Sequence, residues 1–133
     1  MVERIFGDES TKDYSVLINN ALLSSNPNTG LINVGGFSAL NLRINYTFGA
    51  STKVIAKPYF AYPSDNTVIY ECQNVDTSTA PDYESDDISY TRDVGASEKW
   101  ILPLPLNCGF IKVVFSGVGA TTDRITVSAI AYS

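Results

Sequence analysis

Two stretches of alternation fix the kind of fold open to this chain. From Ala39 to Phe48, Leu40, Leu42, Ile44, Tyr46 and Phe48 alternate with Asn41, Arg43, Asn45 and Thr47. From Arg124 to Tyr132, Ile125, Val127, Ala129 and Ala131 alternate with Arg124, Thr126 and Ser128. A period of two sends successive side chains to opposite faces of a strand, one toward a core and the other toward water or a partner. No segment sustains a helical period. The best, Ser15 to Leu23, would place Asn19 and Asn20 on its apolar face, which makes a helix the poorer reading.

The rest of the chain reads as further strands. Gly35-Gly36 and Gly49-Ala50-Ser51 supply turns on either side of the first alternation. Tyr14 to Leu23 is an earlier strand with Tyr14, Val16 and Ile18 on one face, closed by Asn26-Pro27-Asn28-Thr29-Gly30; Leu31 to Val34 opens the next. Lys53 to Tyr62 is interrupted by Pro58, and proline cannot donate to a ladder, so this strand is expected at an edge or a bend. Pro63-Ser64-Asp65-Asn66 turns the chain, Thr67 to Cys72 returns, and Ile88 to Val94 is a short candidate. Trp100, Leu102, Leu104 and Leu106 alternate with Pro103 and Pro105 between them, an extended segment poor at pairing on its proline-bearing side. Phe110 to Ser116 and Arg124 to Tyr132 are expected to form a closing hairpin across Gly117–Asp123. About eight strands at this spacing, with no repeat or linker, predict one all-β domain over residues 14–133, an antiparallel β-sandwich or jelly roll. Residues 1–13 lack a strand period and read as an N-terminal arm that orders on a partner.

Charged residues are 17% of the chain, against roughly 25% in a typical soluble domain. Ser, Thr and Asn fill the gap, which suits a surface partly covered by a partner. The net charge is −5, and Lys53, Lys57, Arg92, Lys99, Lys112 and Arg124 form no run. Nucleic acid, whose binding rests on neutralised phosphates, is therefore not expected as a partner, nor is an anionic membrane surface. No apolar stretch approaches the roughly 20 residues of a membrane span. Met1 to Asp8 carries acids where a signal peptide needs a basic and then an apolar run. Synthesis in the cytoplasm, with departure only inside an assembly, is the expectation. Asn45-Tyr46-Thr47 has the spacing of a glycosylation sequon, but Tyr46 on an apolar alternation makes a chance match the better account.

The chain has no histidine, which removes Ser-His-Asp and Cys-His nucleophile systems, the commonest general base and most zinc sites. Cys72 and Cys108 could pair across a sandwich; in a cytosolic product, two small buried hydrophobes are the favoured reading. Asp76, Asp82, Glu84, Asp86 and Asp87 crowd one loop-like stretch. A crowd on a loop is not the opposed pair on rigid walls that glycoside hydrolysis needs. Their order does not fit an EF-hand loop, so Asp82, Glu84, Asp86 and Asp87 are weak calcium candidates in what is expected to be a solvated acidic loop. Gly117-Val118-Gly119 lacks the third glycine and the following helix of a dinucleotide fingerprint. The expectation is a protein without catalytic residues or cofactor. Among eight tyrosines, six phenylalanines and one tryptophan, Tyr59, Tyr62 and Trp100 are the candidate interface anchors. Each lies near a proline that would keep its strand from pairing on both sides, and aromatic rings suit half-buried interface positions.

The succession Trp100-Ile101-Leu102-Pro103-Leu104-Pro105-Leu106, Phe110 to Gly117 and Arg124 to Tyr132 resembles the closing strands of small β-sandwich virion proteins of tailed bacteriophages. That resemblance implies a capsid decoration or accessory protein that stabilises the virion shell. It would bind the major capsid or another virion protein and assemble as a homo-oligomer, a trimer as the first guess. A tail or baseplate component belongs to the same class. The same segments also look like jelly-roll carbohydrate-binding modules, in which Trp100 or the central tyrosines would meet sugar.

Overall fold

The computed structural model describes residues 11–61, 70–71, 89–106 and 109–133. They form the strands β1 (Thr11–Leu22), β2 (Ile32–Asn33), β3 (Ala39–Thr47), β4 (Lys53–Ala61), β5 (Tyr70–Glu71), β6 (Tyr90–Asp93), β7 (Glu98–Pro105), β8 (Phe110–Val118) and β9 (Arg124–Tyr132). The only helical element among the described residues is a 3-10 turn, Leu23–Ser25.

One sheet runs β1-β9-β3-β7. The other runs β2-β8-β4, with β5 and β6 pairing successive parts of the far side of β4. Every pairing is antiparallel. The chain alternates between the sheets: β1, β3, β7 and β9 lie in the first, and β2, β4 to β6 and β8 in the second. Such repeated crossing is the winding of a jelly roll, with β5 and β6 sharing the place of one strand. The all-β sandwich read from the sequence is the fold.

The alternating residues make its core. Leu40, Leu42 and Tyr46 of β3 and Ile125, Val127, Ala129 and Ala131 of β9 are fully buried, facing Ile111, Val113 and Phe115 of β8. Each large apolar side chain so buried contributes roughly 1.5–3 kcal/mol before the entropy of ordering is subtracted.

Four expectations need correction. Phe110 to Ser116 and Arg124 to Tyr132 do not form a hairpin, because β8 pairs with β2 and β4 while β9 pairs with β1 and β3. The glycine-rich connection between them crosses from sheet to sheet instead. Val16 does not share a face with Tyr14 and Ile18: register shifts between Tyr14 and Ile18 rotate it outward, leaving it 57% exposed. Phe48 falls just beyond the end of β3 and is exposed, since the chain is already turning there. Pro58 sits in an interior strand, not an edge. It lies between the stretches of β4 paired by β6 (Lys53 to Ala56) and β5 (Tyr59 and Phe60), where that side of β4 has no described partner to demand an N–H. At the N-terminal end, Thr11 to Asp13 already belong to β1, and the remainder of the expected arm lies outside the described residues.

Candidate interaction site

Among the described residues, the one carboxylate with an enclosed, fully engaged setting is Asp123, just before β9, and it is completely buried. The Tyr46 hydroxyl and the N–H groups of Gly49 (2.8 Å) and Ser51 (3.1 Å) donate to its Oδ2. The N–H groups of Ala50 (2.9 Å) and Thr121 (3.0 Å) donate to Oδ1. Its carbonyl accepts from Leu23 N–H at 2.9 Å. Burial alone would raise the carboxyl pKa, but the Tyr46 hydroxyl and the backbone N–H groups outweigh it and hold the group far below the ordinary carboxylate range. Tyr46 is pushed up to about 12, first by its own burial and then by the carboxylate it bonds. The carboxylate joins the β3–β4 crossover and Tyr46 to the β8–β9 crossover, and the backbone carbonyl of the same residue adds the Leu23 turn that follows β1. Its acceptor directions are used and solvent does not reach it, so the arrangement builds structure and offers nothing to a substrate. The sequence reading missed Asp123 because an acid at the end of a Gly/Thr turn looks like ordinary loop chemistry.

The second feature is a cleft between the sheets where β6 faces β7. It is a cavity of about 360 Å³ lined by Ile44, Val54, Tyr90, Arg92, Trp100 and Phe115, among others. The Arg92 guanidinium lies over the Trp100 ring, 4.7 Å from its centroid. Both Nε (3.1 Å) and Nη2 (2.7 Å) of Arg92 donate to one carboxylate oxygen of Glu98. The ring of Tyr46 is 6.2 Å from that of Trp100. Arg92 therefore covers one face of Trp100, and a sugar stacking on that face would have to displace it.

The third feature is the outer face of the four-stranded sheet. Register places Ile101, Arg43 and Ser128 in one row across β7, β3 and β9, and Lys99, Asn45 and Thr126 in the next. Pro103, Asn41, Ile130 and Asp13 form a row on one side of these, and Thr47 and Arg124 a row on the other. The first two rows line a shallow depression of about 660 Å³. Ile101 at its rim is 60% exposed. The charges on this face are Arg43, Lys99 and Arg124 against Asp13 alone, and Asp13 is taken by Arg43 at 3.2 Å. The face thus exposes one large apolar side chain among hydroxyl, amide and cationic groups, with a single carboxylate.

The anchors expected from the sequence are not brought together. Trp100 stands on β7, an edge strand paired with β3 alone, as its prolines suggested. Tyr59 is in a strand paired on both sides, with Glu71 and Lys112 opposite it, so the proline argument does not hold for it. Its ring instead has the ammonium groups of Lys57 and Lys112 over it, each 5.6 Å from the centroid. Tyr62, Cys72, Cys108 and the calcium candidates Asp82, Glu84, Asp86 and Asp87 lie outside the described residues. Among the described residues no three of His, Cys, Asp and Glu come together as a metal site would require.

No protein-family model matches the chain, and no curated protein matches it. Among solved structures, the chain is similar to the SPBc2 prophage-derived protein YomS at 21% identity and a TM-score of 0.48, over 92% of this chain and 93% of that one.

Proposed function

We propose that this protein is a non-catalytic structural protein of a bacteriophage particle, a capsid decoration or accessory protein that acts by binding and assembly. The observation that carries this reading is the outer face of the four-stranded sheet. It carries a shallow depression and exposes Ile101, hydroxyl and amide side chains and three cations in successive rows, a composition that suits contact with protein. A jelly roll suits such a role, because its edges are few and its broad faces can be tiled against neighbours. Contacts across a shell add binding free energy to the assembled state and oppose its expansion. The chain works as a homo-oligomer, with its partner the major capsid protein or another virion component. Its place is the virion, after synthesis in the host cytoplasm.

The test is peptide mass spectrometry of purified particles of the phage that encodes the chain. The chain should be present in fixed ratio to the shell protein, and its absence from intact particles refutes the assignment. A carbohydrate-binding module is the second reading, favoured by the cleft beside Trp100; a glycan array tests it, and specific sugar binding that is lost on Trp100→Ala would carry it.

A further inference from the structure

The charge of this chain is segregated. Residues 11–61 and 89–133 hold every Lys and Arg except Arg4, yet their only acidic side chains are Asp13, Asp93, Glu98 and Asp123. Asp123 is buried, and the other three are taken by Arg43, Lys53 and Arg92. Residues 62–88 carry Asp65, Glu71, Asp76, Asp82, Glu84, Asp86 and Asp87 and no Lys or Arg. The overall charge of −5 thus conceals a basic sandwich and an acidic insertion.

We infer that the outer face of the four-stranded sheet docks the acid-rich part, Asp76 to Asp87, of a second copy of this chain in a head-to-tail contact. The inference rests on the homo-oligomeric reading above and names the surfaces it uses. A two-fold pairing of this face with itself would set Lys99 and Arg124 among their own copies, with no spare carboxylate to separate them. Like charges opposed across an interface cost several kcal/mol. A contact between two different parts of the chain avoids that cost, and repeating it around an axis closes a ring. The face is four strands wide and about nine residues long, roughly 19 by 30 Å. Covering it buries on the order of 1,000 Å² counted on both partners, the lower bound for a specific interface. Such a contact depends on charge for its choice of partner, with Ile101 as the apolar centre.

Light scattering coupled to gel filtration tests this on the full chain. At about 50 mM NaCl the mass should be a multiple of 14.4 kDa, and the dissociation constant should rise at least about tenfold by 500 mM as screening shortens. Lys99→Glu combined with Thr47→Glu, two exposed positions on the face, should give a monomer whose circular dichroism spectrum matches that of the unmodified protein. Adding Asp86→Lys and Asp87→Lys to that variant should restore assembly. An oligomer indifferent to salt and to the face substitutions overturns the inference while leaving the virion reading, which is decided by particle composition. A charge-swapped chain that stays monomeric, or an unmodified chain that never assembles, also overturns it.

Discussion

Replacing Asp123 with alanine removes the carboxylate that ties the β3–β4 crossover and Tyr46 of β3 to the β8–β9 crossover, and keeps the backbone carbonyl that accepts from Leu23. Five donors lose their partner. Three of them, the N–H groups of Gly49, Ala50 and Thr121, are only partly buried and can be met by water. The Tyr46 hydroxyl and the Ser51 N–H are buried, and an unpaired buried donor costs about 1–3 kcal/mol. With the lost side-chain packing, the expected destabilisation is about 3–5 kcal/mol, a large part of the roughly 5–15 kcal/mol that a domain possesses. Tyr46→Phe removes one bond and leaves the carboxylate its backbone donors, so its cost should be nearer 1–2 kcal/mol.

Urea unfolding followed by Trp100 fluorescence reads both values. The acid limb supplies an independent check. The folded pKa of Asp123 is depressed, so its contribution is complete above the unfolded value near 3.9 and is lost as the pH falls toward the folded one. The gap between the unmodified protein and Asp123→Ala should narrow below about pH 4 by up to roughly 1.4 kcal/mol per pH unit. On the alkaline side, the raised pKa of Tyr46 favours the folded state below pH 10, and that contribution is lost as the pH climbs toward 12. A cost below about 1 kcal/mol for Asp123→Ala, or a gap that holds constant down to pH 2, refutes the staple.

Two further outcomes are expected. A Cβ at Gly49 would lie 2.5 Å from Asp123 Oδ1 and 2.6 Å from its backbone nitrogen, whereas one at Gly117 would meet side-chain atoms alone, Leu23 Cδ2 at 2.6 Å and Ser51 Oγ at 2.7 Å; Gly49→Ala should therefore lower the melting temperature more than Gly117→Ala in parallel calorimetry. Pro103 and Pro105 lie on the edge strand β7 in positions that share one side of its backbone; Pro103→Thr with Pro105→Thr supplies the missing N–H groups and should raise the aggregation rate seen by light scattering, and an unchanged rate would show that edge to be guarded by other means.

How much of this was legible beforehand depended on how local the cause was. The alternations of β3 and β9 appear in the sequence because each buried residue there obeys the same two-residue period along an unbroken ladder. β1 obeyed it only in part. Asn20 adopts a left-handed backbone with φ 51, held by its N–H on Thr126 Oγ1 and its carbonyl on Arg124, and those partners are remote in sequence. The misplaced hairpin has the same origin. Gly117 to Asp123 carries turn residues, and turn chemistry does not say whether the chain re-enters its own sheet or the one opposite. The place of Trp100 on an edge strand was legible, because Pro103 and Pro105 mark one side of β7 as unable to pair. The outer face was not found, because it exists only once β7, β3 and β9 are set side by side, and the scatter of its cations along the sequence concealed their rows.

The pairing of β1 with β9 has a consequence for how the chain reaches its fold. Thr11 lies opposite Tyr132, and Ala21 opposite Ile125, so the first described strand waits for the last. Until β9 is available, β1 and β3 have no common neighbour, and the sheet they share has no centre. The loop that must close spans nearly the whole chain, and its entropy is spent before the apolar contacts of Val127 and Ala129 return anything. Folding should therefore be slow, in the millisecond-to-second range of sandwiches rich in distant contacts, and should finish only after the final strand has been released by the ribosome. A nascent chain of this kind leaves β1 without a partner and one side of β3 open until β9 is made, although β7 can already pair the other side of β3, which makes the interval before β9 appears the time of greatest risk to it.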